Sequence, residues 1–117
     1  MDFDKLQERV ADLERIAAEL PQAEPAALRR FALGLRDVLV AFLKDRREPI
    51  RPGQLFKDAA AKSIVPGDIA PRADALLVRW TGSVTPQEPQ AVKEDAARWS
   101  AVAEKVLPVL KAYRKER

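Results

Sequence analysis

The sequence predicts an all-α protein: a small antiparallel bundle of three long helices, with a short two-helix segment between the second and the third. Three observations carry this. Twenty alanines and thirteen leucines stand against sixteen Val, Ile and Thr residues, a balance that favours helix by intrinsic propensity. Apolar residues recur at three- and four-residue steps over long stretches, the period of an amphipathic helix. No run of residues carries a competing strand signal. At 117 residues with 47% hydrophobic and 33% charged side chains, the chain reads as one globular domain, 1–117, able to bury about two thirds of its unfolded surface.

The first helix is predicted over about 3–20, where Leu6, Val10, Leu13, Ala17 and Leu20 form one stripe. Pro21 and Pro25 bracket a turn, because the residue before a proline is pushed out of the helical region. The second helix, about 26–47, carries Leu28, Phe31, Leu35, Val38, Leu39 and Phe42 on a broad apolar arc. Gly34 lies inside it at a cost of roughly 1 kcal/mol of helix propensity against alanine, which a close helix crossing would explain. Pro49, Pro52 and Gly53 end this helix.

A short helix over about 54–63 follows, burying Leu55, Phe56 and Ala59, and Pro66-Gly67 turns the chain. The fourth helix, about 69–81, is expected to take Asp68 as its cap and to bury Ala73, Leu76, Leu77 and Trp80. Thr85-Pro86-Gln87-Glu88 has capping-box spacing for the last helix, about 87–114. Its stripe runs through Val92, Ala96, Trp99, Ala103, Val106, Leu110 and Tyr113, with Pro108 on the opposite face, where it should bend the helix without breaking it.

The chain contains no histidine, cysteine or asparagine. Histidine-dependent acid–base schemes and the Ser-His-Asp triad lose their central member, and zinc and di-iron sites lose their usual ligands. No Ser-x-x-Lys dyad can be written, and the four glycines are isolated, so no phosphate-cradling loop exists. No enzyme activity, catalytic residue, cofactor or metal is expected. The longest uninterrupted apolar run, Val38 to Leu43, is far short of the roughly 20 residues of a membrane span. The acidic start, Met1-Asp2-Phe3-Asp4, is not followed by an apolar leader segment. The expectation is a cytoplasmic protein with no membrane insertion.

Net charge is +3, resolved into −4 over 1–27, +5 over 28–62, −2 over 63–97 and +4 over 98–117. That alternation suits a bundle with self-complementary faces as well as a protein with one basic groove.

Two functional readings follow. On a helical wheel Leu33 and Val40 fall among Arg29, Arg36, Asp37 and Lys44, opposite the main stripe. A helix contacted from two sides is covered there either by the rest of its own chain or by a partner. The leading expectation is therefore a non-enzymatic protein–protein interaction module, an adaptor or a self-associating subunit such as a homodimer, with Leu33, Val40 and Arg36 as interface candidates. The alternative is a nucleic-acid-binding module. It would use Arg46, Arg47, Arg51 and Lys57 in the basic segment 44–57, with Lys111, Arg114 and Lys115 of the last helix. Cations at a helix C-terminus also complement the macrodipole, so Lys44, Arg46 and Arg47 have a structural reason to be there. The helices around Pro66-Gly67 have helix-turn-helix order, though the second offers only Arg72, Asp74 and Arg79 as long polar readers. Arg79 and Arg98 directly precede Trp80 and Trp99, an arrangement that would stack bases if the rings were exposed. Both rings lie on apolar stripes, which favours the core.

Overall fold

The structure, a computed structural model, describes residues 3–51, 53–62 and 65–112. Among these residues there are five α-helices and no strand: α1 (Phe3–Glu19), α2 (Pro25–Asp45), α3 (Leu55–Ala61), α4 (Ala70–Thr81) and α5 (Pro89–Ala112). One 3₁₀ turn, Leu20–Gln22, continues α1.

Pairings across the helices define their directions. Leu13 of α1 lies against Gly34 of α2, and Glu19 binds Arg30 at 3.2 Å. Gln7 Nε2 donates to the Leu110 carbonyl of α5 at 3.4 Å, and Lys111 lies 3.7 Å from Glu14. Because Gln7 already sits at the C-terminal end of α5 and the 3₁₀ turn that follows α1 still packs on α5, α1 runs antiparallel to α5 as well as to α2. Trp80 faces Asp95, and Asp68 faces Lys105, so α4 and α5 are antiparallel as well. Helix α2 touches all four other helices, the reason for its broad apolar arc. The core gathers Leu6, Val10 and Leu13 from α1, the α2 arc, Phe56, Trp80, Trp99 and Leu110. Phe31 and Trp99 meet edge to face, 5.4 Å between ring centroids at 72°, a geometry the ring quadrupoles favour.

Gly34 is the close crossing its position suggested: a Cβ there would come within 2.9 Å of Leu13 Cδ2. Pro108 lies exposed inside an unbroken α5.

The boundaries differ from expectation where proline and capping chemistry decide them. Pro21 turns the last residues of the first predicted helix into the 3₁₀ turn. Pro25, not residue 26, opens α2, since proline's fixed φ suits the first helical position. Asp68 does not cap α4. Ile69 occupies the N-cap without a side-chain bond, and Asp68 instead binds Lys105 at 3.2 Å. That bond and the ammonium charge hold the Asp68 carboxyl below its usual range. The capping box at Thr85 does not form either. Helix α5 starts at Pro89, because Glu88 before a proline is disfavoured as helix, and Gln87 Nε2 turns back to the Thr85 hydroxyl at 3.3 Å. The predicted ends at Ser63 and residue 114 lie outside the described residues, as does Tyr113.

Helix α2 stops at Asp45, two residues early, in a Schellman turn. The Glu48 N–H donates to the Leu43 carbonyl at 2.9 Å and the Arg47 N–H to Lys44 at 3.0 Å. Arg47 occupies the left-handed position of that turn, φ 59°, where glycine is usual. Arg47→Gly is therefore expected to raise stability by about 0.5–1 kcal/mol, the relief of αL strain exceeding glycine's extra unfolded-state entropy. Urea unfolding measures it; a loss of stability would show that the arginine side chain matters more than its backbone.

Candidate functional site: a basic-rimmed groove between two helices

Helices α4 and α5 carry a short pattern in common. Arg72, Ala75, Leu76 and Arg79 on α4 match Arg98, Ala101, Val102 and Lys105 on α5, each a basic residue, an alanine, an aliphatic residue and a second basic residue at i, i+3, i+4 and i+7. Those spacings share one helix face. Because the helices are antiparallel, the two faces meet in a groove of about 430 Å³ lined by all eight residues and by Ile69. Arg79 and Arg98 stand at one end, Arg72 and Lys105 at the other.

The first end is held from below. Asp95 is 0% exposed. It accepts hydrogen bonds from Trp80 Nε1 at 2.8 Å and Arg98 Nη1 at 2.7 Å, with Arg79 Nη1 at 3.3 Å. Both arginine side chains remain about half exposed (47% and 53%), so each can bind Asp95 and still face a ligand. Arg98 also lies 4.0 Å from Glu94. At the other end Lys105 is shared with Asp68, while Arg72 forms no ion pair among the described residues. The floor is apolar: Leu76, Val102 and Ile69 are buried edges, and Ala75 and Ala101 are exposed.

A second buried carboxylate supports this wall. Asp74 accepts from the backbone N–H groups of Phe56 at 2.7 Å and Lys57 at 3.1 Å. These are the second and third residues of α3, whose own N-cap, Gln54, makes no capping bond. Asp74 is thus the N-cap of α3, supplied from another helix. Burial pushes its carboxyl up from the usual range, and the two amides pull it part of the way back.

The residues singled out from the sequence are scattered. Val40 is half-buried against the core and lines a depression between α1 and α2 with Leu6 and Arg9. Leu33 is half-buried too. One turn before it, Arg29 Nη1 donates to the Gly82 carbonyl at 2.7 Å, so the α4–α5 connection reaches this face. Arg36 is half-buried, its Nε 3.8 Å from the neighbouring Asp37. In the basic segment, Arg46 is half-buried, Arg47 sits in the Schellman turn and Lys57 is exposed. Arg51 donates Nε to Asp58 at 3.0 Å, which raises the arginine's already high pKa. Lys111 pairs with Glu14; Arg114 and Lys115 lie outside the described residues. The depression nearest this segment mixes Arg9, Lys44 and Arg47 with Asp37 and Asp45.

The base-stacking arrangement is not present, and the helix-turn-helix reading loses one of its readers. Trp80 and Trp99 are 0% exposed, and Asp74, one of three expected readers, is 4% exposed and committed to α3. The groove itself escaped sequence reasoning, although the doubled basic–alanine–aliphatic–basic pattern could have revealed it. Asp74 and Asp95 left a fainter trace as carboxylates next to or within apolar stripes.

Among the described residues no cluster of three or more acidic side chains is placed to hold a metal. Nor is any helix there long and apolar enough to cross a membrane. Comparison with known protein families, with curated proteins and with solved structures finds no match.

Proposed function

We propose that the protein is a non-enzymatic helical module that binds another protein, and that an acidic partner docks in the α4–α5 groove. One observation carries this: four cationic side chains frame an apolar floor in a cleft between two helices. Apolar contact supplies affinity at such a surface, and the charged rim supplies orientation and choice of partner. A groove-to-groove pairing of two copies would set arginine against arginine, which argues for a different partner protein. The opposite charge balances of the acidic first helix and the basic end of the chain, which could have drawn copies together, are met partly within the chain at Glu14–Lys111.

The basic segment 44–57 supports nucleic-acid binding less well, because its cations do not frame one cleft: Arg51 is engaged by Asp58, and the depression that holds Lys44 and Arg47 also holds Asp37 and Asp45.

The test is an NMR titration of isotope-labelled protein with a Glu- and Leu-rich synthetic peptide and, separately, with duplex DNA and single-stranded RNA. The expected result is amide perturbation confined to α4 and α5 by the peptide alone. Binding of nucleic acid at 44–57 that weakens steeply with salt, or no response to peptide, would overturn the proposal.

A further inference from the structure

We infer that the occupant of the groove is a single amphipathic α-helix whose apolar stripe is flanked on both sides by acidic residues seven positions apart. This rests on the proposed docking of an acidic protein at α4–α5 and specifies the shape of what docks.

The geometry of the cations selects the shape. Arg72 and Arg79 stand seven residues apart on one wall, and Arg98 and Lys105 seven apart on the other. Two helical turns separate such residues by about 10.5 Å along the axis. A docked helix lying along the groove repeats that distance in its own i and i+7 residues, so one acid meets each cation on each flank. An extended strand cannot do so: at about 3.3 Å per residue, the distance corresponds to three residues, and residues three apart in a strand point to opposite faces.

The floor fits the same guest. Ala75 and Ala101 are exposed, hold equivalent places in the two patterns, and are small enough for a third helix to settle between α4 and α5. Helices pack at interaxial distances of about 8–10 Å, and small residues permit the closer end of that range. The guest's side chains then reach the edges of Leu76 and Val102. Its acids occupy the places of the e and g residues beside a coiled-coil seam, which set partner choice through charge.

Because the two walls carry the same pattern on antiparallel helices, the groove has an approximate two-fold axis. The difference between its ends comes from Asp68, which occupies Lys105, and from Asp95 beneath Arg79 and Arg98. A docking acid must compete with exposed Asp68 for Lys105.

A second copy of this chain is a poor guest. The outer face of α1 offers acids such as Asp4, Glu8 and Asp12, but its apolar residues Leu6, Val10 and Leu13 are already in the core. Trp80 and Trp99 are buried and offer no stacking surface to bases, which disfavours single-stranded nucleic acid in the groove.

Three synthetic peptides of about 16 residues, enough for four turns, test the inference. The first has a leucine stripe flanked by glutamates at seven-residue steps. The second has the same composition, with the glutamates moved to the face opposite the leucines. The third is the first with a central proline. Calorimetric titration gives affinities, and circular dichroism of the mixtures gives helicity. The first peptide should bind at least about tenfold more tightly than the other two, gaining helix as it binds, since the separation corresponds to several exposed ion pairs acting together.

Arg72→Glu with Lys105→Glu should abolish that preference; both side chains are exposed, and the helical spectrum verifies that the variant folds. The milder Arg72→Ala with Lys105→Ala should weaken it. Asp68→Asn should tighten binding severalfold by freeing Lys105. Equal affinity of all three peptides, each lost in the charge-reversed protein, would overturn the helical guest while leaving acidic docking intact. No binding by any peptide, or nucleic acid perturbing α4 and α5 in their place, would overturn both.

Discussion

Replacing Asp95 with alanine is expected to destabilise the protein by about 2–4 kcal/mol, most of it from one stranded donor. Trp80 is fully buried and its indole N–H has Asp95 as acceptor, 2.8 Å away. Without the carboxylate, that N–H pays its desolvation cost of about 1–3 kcal/mol, and the missing atoms leave a void beside the ring. The arginines contribute less. Arg79 and Arg98 are about half exposed and can turn to water when their partner is gone. Asp95→Asn separates the two contributions, since an amide oxygen still accepts from Trp80 while the charge is removed; it should cost only about 1–2 kcal/mol. Urea unfolding followed by tryptophan fluorescence measures both. An asparagine variant as unstable as the alanine variant would show that charge, not the indole bond, dominates. The same variants bear on the groove: with Asp95 gone, Arg79 and Arg98 lose the anchor that sets them at one end.

Asp74→Ala should cost about 2 kcal/mol by uncapping α3. A helix of seven residues has no independent stability. Its second and third amides are satisfied by a side chain that comes from α4. Hydrogen exchange should show α3 opening selectively, and its protection should fall more than that of α2.

The same residue predicts a pH dependence. Burial raises the Asp74 carboxyl above its usual range, ahead of the lowering by the Phe56 and Lys57 amides. The folded state then holds this proton more tightly than the unfolded state, whose carboxyl titrates near about 3.9. Unfolded minus folded proton binding is negative in that window, so this group's contribution to stability falls as pH rises from about 4 through the raised folded value, and is constant above it. Asp74→Asn lacks the titration. The stability difference, wild type minus asparagine, should therefore decline with pH over that window. A difference that grows with pH would mean that the amides outweigh burial.

The helices were legible because each carries its own evidence. The Leu6–Val10–Leu13 and Val92–Ala96–Trp99 stripes needed only the helical period, and the prolines at 21, 25 and 49 punctuate the chain locally. Gly34 was readable for the same reason, as a cost within α2 that only a close neighbour would justify. Ends were less legible where the local signal was ambiguous or absent. Thr85 to Glu88 spelled a capping box that Pro89 forbids, and Arg47 gave no sign of the left-handed turn that a glycine would have announced. The sequence candidates at Leu33 and Val40 rested on a wheel with two sides; which neighbour approaches each side is a question of packing.

The primary structure by itself determined the class of fold, the number and approximate extent of the helices, most of the buried face of each, and the chemistries for which no residue is available. These depend on periodicity, propensity and composition, which act over a few residues and need no partner. Only the tertiary structure decided that Asp74 caps a helix 17–18 residues away, that Asp95 gathers Trp80, Arg79 and Arg98, and that two ordinary helix faces combine into one cation-framed groove. The physical reason is that a carboxylate's role is set by the donors that surround it, and those donors arrive from separate helices whose packing angle and register the linear order of residues does not specify.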